Sequence, residues 1–118
     1  MQAYSFTSRP IAEALMEARA RGVHVEVIVD KSQRAERSTM ADDLAADGIP
    51  VVVDAAHSIA HNKVMVIDGR TVLTGSFNFT EAAEERNAEN LLVIQDSTVA
   101  AQYEKNWLTH KAHSAPYQ

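Results

Sequence analysis

The sequence predicts a single α/β domain with a mixed, mainly β sheet flanked by helices. Three observations carry that prediction. Apolar, β-branched runs at residues 23–29 and 49–53 alternate with helical segments closed by glycine. Asp68-Gly69 sits between two further apolar runs, a dipeptide that favours the mirror-image turn of an antiparallel hairpin. The 118 residues are 46% hydrophobic and 23% charged, an ordinary globular composition at a length that supports one core and not two.

Taken in order, residues 2–6 alternate as a short strand, and Ser8 with Pro10 opens a helix to about Arg21. Ile11, Leu15 and Ala18 share one face of that helix, and Gly22 closes it. Residues 23–29 form a strand covered on both faces, ended by Asp30. Residues 34–47 predict a second helix closed by Gly48, and residues 49–53 another strand. The hairpin then pairs residues 59–67 with 71–73. Thr80 caps a short helix through Arg86, residues 91–94 make a strand, and residues 98–111 form a closing helix with Tyr103 and Trp107 in the core. The chain shows neither an internal repeat nor a linker, so residues 1–118 are expected to be one domain.

Charge and composition narrow the function. The net charge is 11 − 16 = −5, so any polyanion must meet a localised positive site and not a generally basic surface. Without cysteine there is no disulfide, thiolate metal site or thiol nucleophile. No apolar run reaches the roughly 20 residues of a membrane-spanning helix, and residues 1–6 lack the pattern of a secretory signal.

The chemistry concentrates in His61-Asn62-Lys63, Asp68, Gly75-Ser76-Phe77-Asn78 and Glu89. On a strand, His61 and Lys63 would share a face about 6.6 Å apart, close enough to touch one anion from a rigid platform. His-x-Lys, four intervening residues, Asp, six more residues and Gly-Ser-x-Asn resemble the HKD motif of the phospholipase D superfamily. The context from Gly75 to Asn90 is similar, more narrowly, to the single-motif bacterial endonucleases of the Nuc type, and the similarity extends over nearly the whole chain.

That resemblance implies a metal-independent phosphodiesterase working through a phosphohistidine on His61. The sequence contains no second His-x-Lys, so the opposing imidazole would come from a second copy in a homodimer. Lys63 and Asn78 would hold the non-bridging phosphate oxygens. Glu89 resembles the carboxylate that hydrogen-bonds the catalytic imidazole, and Ser76 the hydroxyl beside it. No cofactor or metal is implied. Nucleic acid is the favoured substrate, DNA ahead of RNA; a lipid phosphodiester and an inactive nucleic-acid-binding or assembly fragment are the alternatives. In that family residues 3–7 follow an earlier strand and helix, so the chain is expected to lack the family's first strand and helix. Periplasmic residence or export is implied by the resemblance alone.

Other residues carry plainer readings. Asp68 is expected to support its turn. Gly75 is structural, serving either an unusual backbone conformation or a close phosphate approach. Lys31, Arg34 and Arg37 follow the end of a strand, and either line a phosphate track or are ordinary surface cations. His24, His57, His110 and His113 read as ordinary partly buried histidines, and the acidic cluster at 81–85 as a solvated helix face.

Overall fold

A computed structural model describes residues 1–118. In chain order it contains β1 (Gln2–Ala3), α1 (Arg9–Ala20), β2 (Val27–Asp30), a 3-10 turn (Lys31–Arg34), α2 (Ala41–Ala46) and β3 (Val51–Asp54). There follow β4 (Val64–Ile67), β5 (Thr71–Gly75), α3 (Glu81–Glu85), β6 (Leu91–Gln95), α4 (Ser97–Ala112) and β7 (Ala115–Pro116). The seven strands form one mixed sheet in the order β6-β5-β4-β1-β2-β3-β7. β1, β2 and β3 are parallel, whereas β4, β5, β6 and β7 each pair antiparallel with their neighbours.

Helices pack on both faces of the sheet, while β6 at one edge stays largely exposed. Phe6, Ala12, Val27, Val29, Ala41, Leu44, Val51, Val53 and Phe79 form the main core under α1 and α2. Val64, Val72 and Ala100 form a smaller one under α4, with Val99 and Tyr103 packed against it. Burying a side chain such as Phe6 or Leu44, each at 0% exposure, contributes roughly 1.5–3 kcal/mol. Trp107 is buried and donates from Nε1 to the Met1 carbonyl at 3.0 Å, which ties α4 to the residue that leads into β1.

Local chemistry explains the boundaries. The Ser8 hydroxyl caps α1 by accepting from the Ile11 N–H, and the Thr80 hydroxyl caps α3 by accepting from that of Ala83. Asp68 (φ 56) and Gly69 (φ 64) form the hairpin turn, which Arg70 N–H closes on the Ile67 carbonyl at 3.1 Å.

Four expectations are corrected. Residues 34–47 are not one helix. Asp30 caps a tight turn through Ser32 N–H, buried Gln33 accepts from Phe6 N–H and the Thr39 hydroxyl, and Glu36 accepts from Ser38 N–H. These side-chain bonds displace the helical ladder until Ala41, which starts α2. The strand expected at 23–29 begins only at Val27, whose partner Val51 opens β3; β1 joins one residue later, pairing Gln2 with Ile28. The strand expected at 59–67 begins at Val64, the first residue paired on both sides, to Gln2 of β1 and Thr74 of β5. The closing helix, expected over 98–111, runs from Ser97 to Ala112, because the Asp96 carboxylate caps it by accepting from both Thr98 and Val99 N–H.

The pairing directions place one edge of the sheet under chemical control. The segments that follow β1, β2, β3 and β5 and those that precede β4, β6 and β7 all meet there. In open sheets this is the side on which ligands commonly bind.

Candidate active site

His61 and Lys63 lie at that edge, in an extended segment outside the strand ladder, so the expected strand platform is replaced by another form of support. Asp30 Oδ1 accepts from Ala60 N–H at 2.7 Å, and the Lys31 ammonium donates to the His57 carbonyl at 3.0 Å. Those bonds fix the approach to His61. Lys63 Nζ then donates to the His61 carbonyl at 2.7 Å and lies 3.0 Å from His61 Nδ1.

Tyr4, just beyond β1, supplies the wall. Its ring packs at 4.7 Å from the His61 ring, tilted by 57°, and the Lys63 ammonium lies 5.6 Å from its centroid. A shallow pocket of about 260 Å³ continues from Tyr4 along Ser5, Ser32, Gln33, Ala35 and Glu36. The imidazole is exposed whereas Lys63 is only 8% exposed. Burial pushes the Lys63 ammonium below its ordinary pKa, and the Glu89 charge partly opposes that fall. A dehydrated cation beside an accessible imidazole is a site for an anion.

Glu89 differs from its expected role. Its carboxylate accepts from the Ser76 hydroxyl at 2.6 Å and from the Asn87 amide at 3.1 Å, and makes no hydrogen bond to His61. Those two bonds, and Lys63 in addition, hold Glu89 below the usual carboxylate range. Its influence therefore reaches Lys63 through space. Ser76 is fixed in turn, since its hydroxyl accepts from Asn90 N–H at 3.0 Å.

Gly75 has φ 149, and a methyl group there would lie 2.1 Å from the Asn90 carbonyl oxygen. The close approach is thus to the neighbouring backbone. Asn78 stands in the segment between β5 and α3; its amide oxygen is buried without a partner, and it makes no side-chain bond to His61 or Lys63. Asp68 is exposed at the distant hairpin turn. Lys31 is committed to the His57 carbonyl, while Arg34 and Arg37 are exposed.

Tyr4 was not legible as a site residue, because nothing in its local pattern announces a contact with residue 61. Histidines 57, 110 and 113 also depart from their expected plainness: all three surround the Asp54 carboxylate. Their spacing in sequence gives no warning of this.

The family described as "Cardiolipin synthase, PLD-like domain" matches residues 1–110. A protein named "Phospholipase D" from Rickettsia bellii is 45% identical over 114 residues, covering 97% of this chain and 57% of that protein. The "Mitochondrial cardiolipin hydrolase" of Xenopus laevis is 35% identical over 104 residues, covering 88% of this chain and 50% of its own length. The chain thus spans about half the length of the curated relatives it matches. The crystal structure of Nuc from Salmonella typhimurium, a phospholipase D family member, superposes with a TM-score of 0.95 at 39% identity, covering 100% of this chain and 80% of that one.

Proposed function

Since the chain belongs to the phospholipase D superfamily and is Nuc-like in structure, we propose that it forms half of a phosphodiesterase site, with DNA as its favoured substrate. The observation that carries this reading is the largely buried Lys63 ammonium, 3.0 Å from Nδ1 of an exposed His61. An ammonium only donates, so in the free site it makes Nδ1 the acceptor and leaves the proton of a neutral ring on Nε2. A phosphodiester anion competes for Lys63. Drawing the ammonium onto its oxygens releases the imidazole to take the tautomer needed for attack.

The remaining steps follow from the need for a second imidazole. His61 nitrogen bonds to phosphorus as the phosphorus–oxygen bond to the leaving group breaks, and His61 of a second copy gives that oxygen its proton. The second imidazole then takes a proton from water, whose oxygen displaces the first imidazole and ends the phosphohistidine. Lys63 and Asn78 stabilise the equatorial oxygens, and Glu89 helps to keep Lys63 protonated. Imidazoles and ammonium groups suffice for these transfers, so the reaction is written without a metal.

Two-fold pairing is supported by the edge strand β6, which begins two residues after Glu89 and exposes Leu91, Leu92 and Val93 at 47%, 58% and 59%. The names of the Rickettsia and Xenopus relatives support a second reading, in which the diester is a phospholipid.

Plasmid nicking and release of headgroup from phospholipid vesicles should be measured in parallel, on wild type and His61→Ala. DNA cleavage lost in His61→Ala supports the first reading, and headgroup release alone supports the second. An excess of His61→Ala chain mixed with wild type should suppress activity through mixed dimers. Unchanged activity in that mixture would refute the shared site.

A further inference from the structure

We propose that Asp54, His57, His110 and His113 form a binding site for a divalent transition metal, with zinc the ion that the donor set fits best. Asp54 ends β3, His57 lies in the loop after it, His110 is in the last turn of α4 and His113 follows that helix. No three of these residues belong to one segment. Their potential ligand atoms nevertheless all lie within 4.8 Å of one another.

The geometry is close to a coordination shell. Asp54 Oδ2 lies 2.7 Å from His110 Nδ1 and 3.0 Å from His113 Nε2, and Oδ1 lies 3.5 Å from His57 Nδ1. Zinc–nitrogen bonds of about 2.0–2.1 Å in a tetrahedron separate neighbouring ligand atoms by about 3.3 Å. The observed contacts straddle that value. The three rings stand almost equidistant, with centroids 5.2, 5.3 and 5.4 Å apart, around the one carboxylate. Small side-chain rotations therefore bring four ligands around one centre.

Charge favours the same occupant. One carboxylate balances one imidazolium, and further cations on the neighbouring rings would repel it and one another. A dication held by three neutral imidazoles and Asp54 instead leaves a single net positive charge, with every ring contributing a lone pair. Asp54 is fully buried, and Ala56 N–H donates to its Oδ1 at 3.0 Å, orienting the carboxylate as outer partners of metal ligands do. Three nitrogens and an oxygen, without sulfur, suit zinc, cobalt, nickel or copper and disfavour calcium and magnesium.

Four protein ligands leave no open position, so the ion would be structural. It would clamp the end of α4 to the loop that runs from His57 to His61. This site is separate from the phosphodiester chemistry proposed above, and its test needs no substrate.

Untagged, metal-stripped full chain should be titrated with Zn²⁺ by calorimetry and with Co²⁺ by visible spectroscopy. The expected result is one ion per chain, with Co²⁺ bands of tetrahedral intensity that Zn²⁺ abolishes. His57→Ala and His113→Ala, both at partly exposed positions, should each weaken binding roughly tenfold or more. Circular dichroism checks their folding. His24→Ala and His61→Ala should bind as wild type does. Zn²⁺ binding that is absent, or unchanged in the His57→Ala/His113→Ala double variant, overturns the proposal, as does an octahedral Co²⁺ spectrum.

Discussion

Gly75→Ala isolates the backbone requirement on which the Ser76–Glu89 arm of the site depends. Gly75 pairs with Leu91 across β5 and β6, and Ser76 N–H donates to the Asn90 carbonyl at 3.0 Å. The added methyl carbon would lie 2.1 Å from that carbonyl oxygen, 2.9 Å from its carbon and 3.2 Å from Leu91 Cα. These are backbone atoms, so no side-chain rotation relieves the contact and the two strands must separate locally. A non-glycine residue at φ 149 costs about 1–3 kcal/mol, and loss of the Ser76–Asn90 bond costs about 0.5–1.5 kcal/mol more.

The expected destabilisation is therefore about 1.5–4.5 kcal/mol, a large share of the roughly 5–15 kcal/mol that holds such a domain together. Gly69→Ala is the control. At φ 64 with nothing within 4 Å, it should cost only about 1–2 kcal/mol of left-handed backbone strain. Urea unfolding of both variants against wild type measures the difference. Should Gly75→Ala prove no more destabilising than Gly69→Ala with unchanged m-value, the strand contact does not constrain the site as argued. Activity in the folded fraction of Gly75→Ala should also fall, because Ser76 can no longer hold Glu89 where it supports Lys63.

Glu89→Gln removes the charge that opposes desolvation of Lys63, so the Lys63 pKa should fall further and the alkaline limb of the pH–rate profile should move to lower pH. Nitrogen NMR of the Lys63 ammonium checks the shift, and an unchanged or higher pKa contradicts it. Gln2 is fully buried with both amide atoms unpartnered. Gln2→Met, similar in size, should stabilise the fold by about 1–3 kcal/mol in denaturant unfolding, and a loss of stability would show that the amide is satisfied. Burial raises the Asp30 carboxyl, but hydrogen bonds from Ala60 and Ser32 and the Lys31 charge outweigh it, so its folded pKa lies below the ordinary value. Its stabilisation is complete above the unfolded pKa of about 3.9 and is lost as pH falls through the folded value. The stability gap between wild type and Asp30→Asn should consequently be widest near neutrality and narrow below about pH 4.

The candidate residues that the sequence singles out are those whose spacing is short. His61, Lys63, Ser76 and Asn78 fall within one hairpin and its flanks, and a fixed set of offsets exposes them together. The paired turn at Asp68-Gly69 and the caps at Ser8 and Thr80 are equally local. What escaped depends on distant elements. Tyr4 reaches His61 because β1 ends one residue earlier, and His110 meets Asp54 from 56 residues away. The helix expected at 34–47 failed for a different reason: the side chains of Gln33, Glu36 and Thr39, at and within its start, bind backbone and neighbours in a turn instead.

The short reach of β1 also explains how His61 can be both exposed and ordered. Had β1 continued past Ala3, residues 59–63 would have paired with it and His61 would alternate into or out of a packed sheet. Ending the strand frees that segment from the ladder, and separate bonds must then replace the lost order. Asp30 to Ala60, Lys31 to His57 and Lys63 to His61 supply them from one side, and the Tyr4 ring from the other. Each such bond contributes only about 0.5–1.5 kcal/mol net. Because they grip successive points of a short segment, they restrict its orientation far more than their energies suggest, while leaving the imidazole exposed. A metal ion on His57 would add a further grip at the start of the same segment, so the clamp and the His61 site meet in one loop although their chemistries are independent.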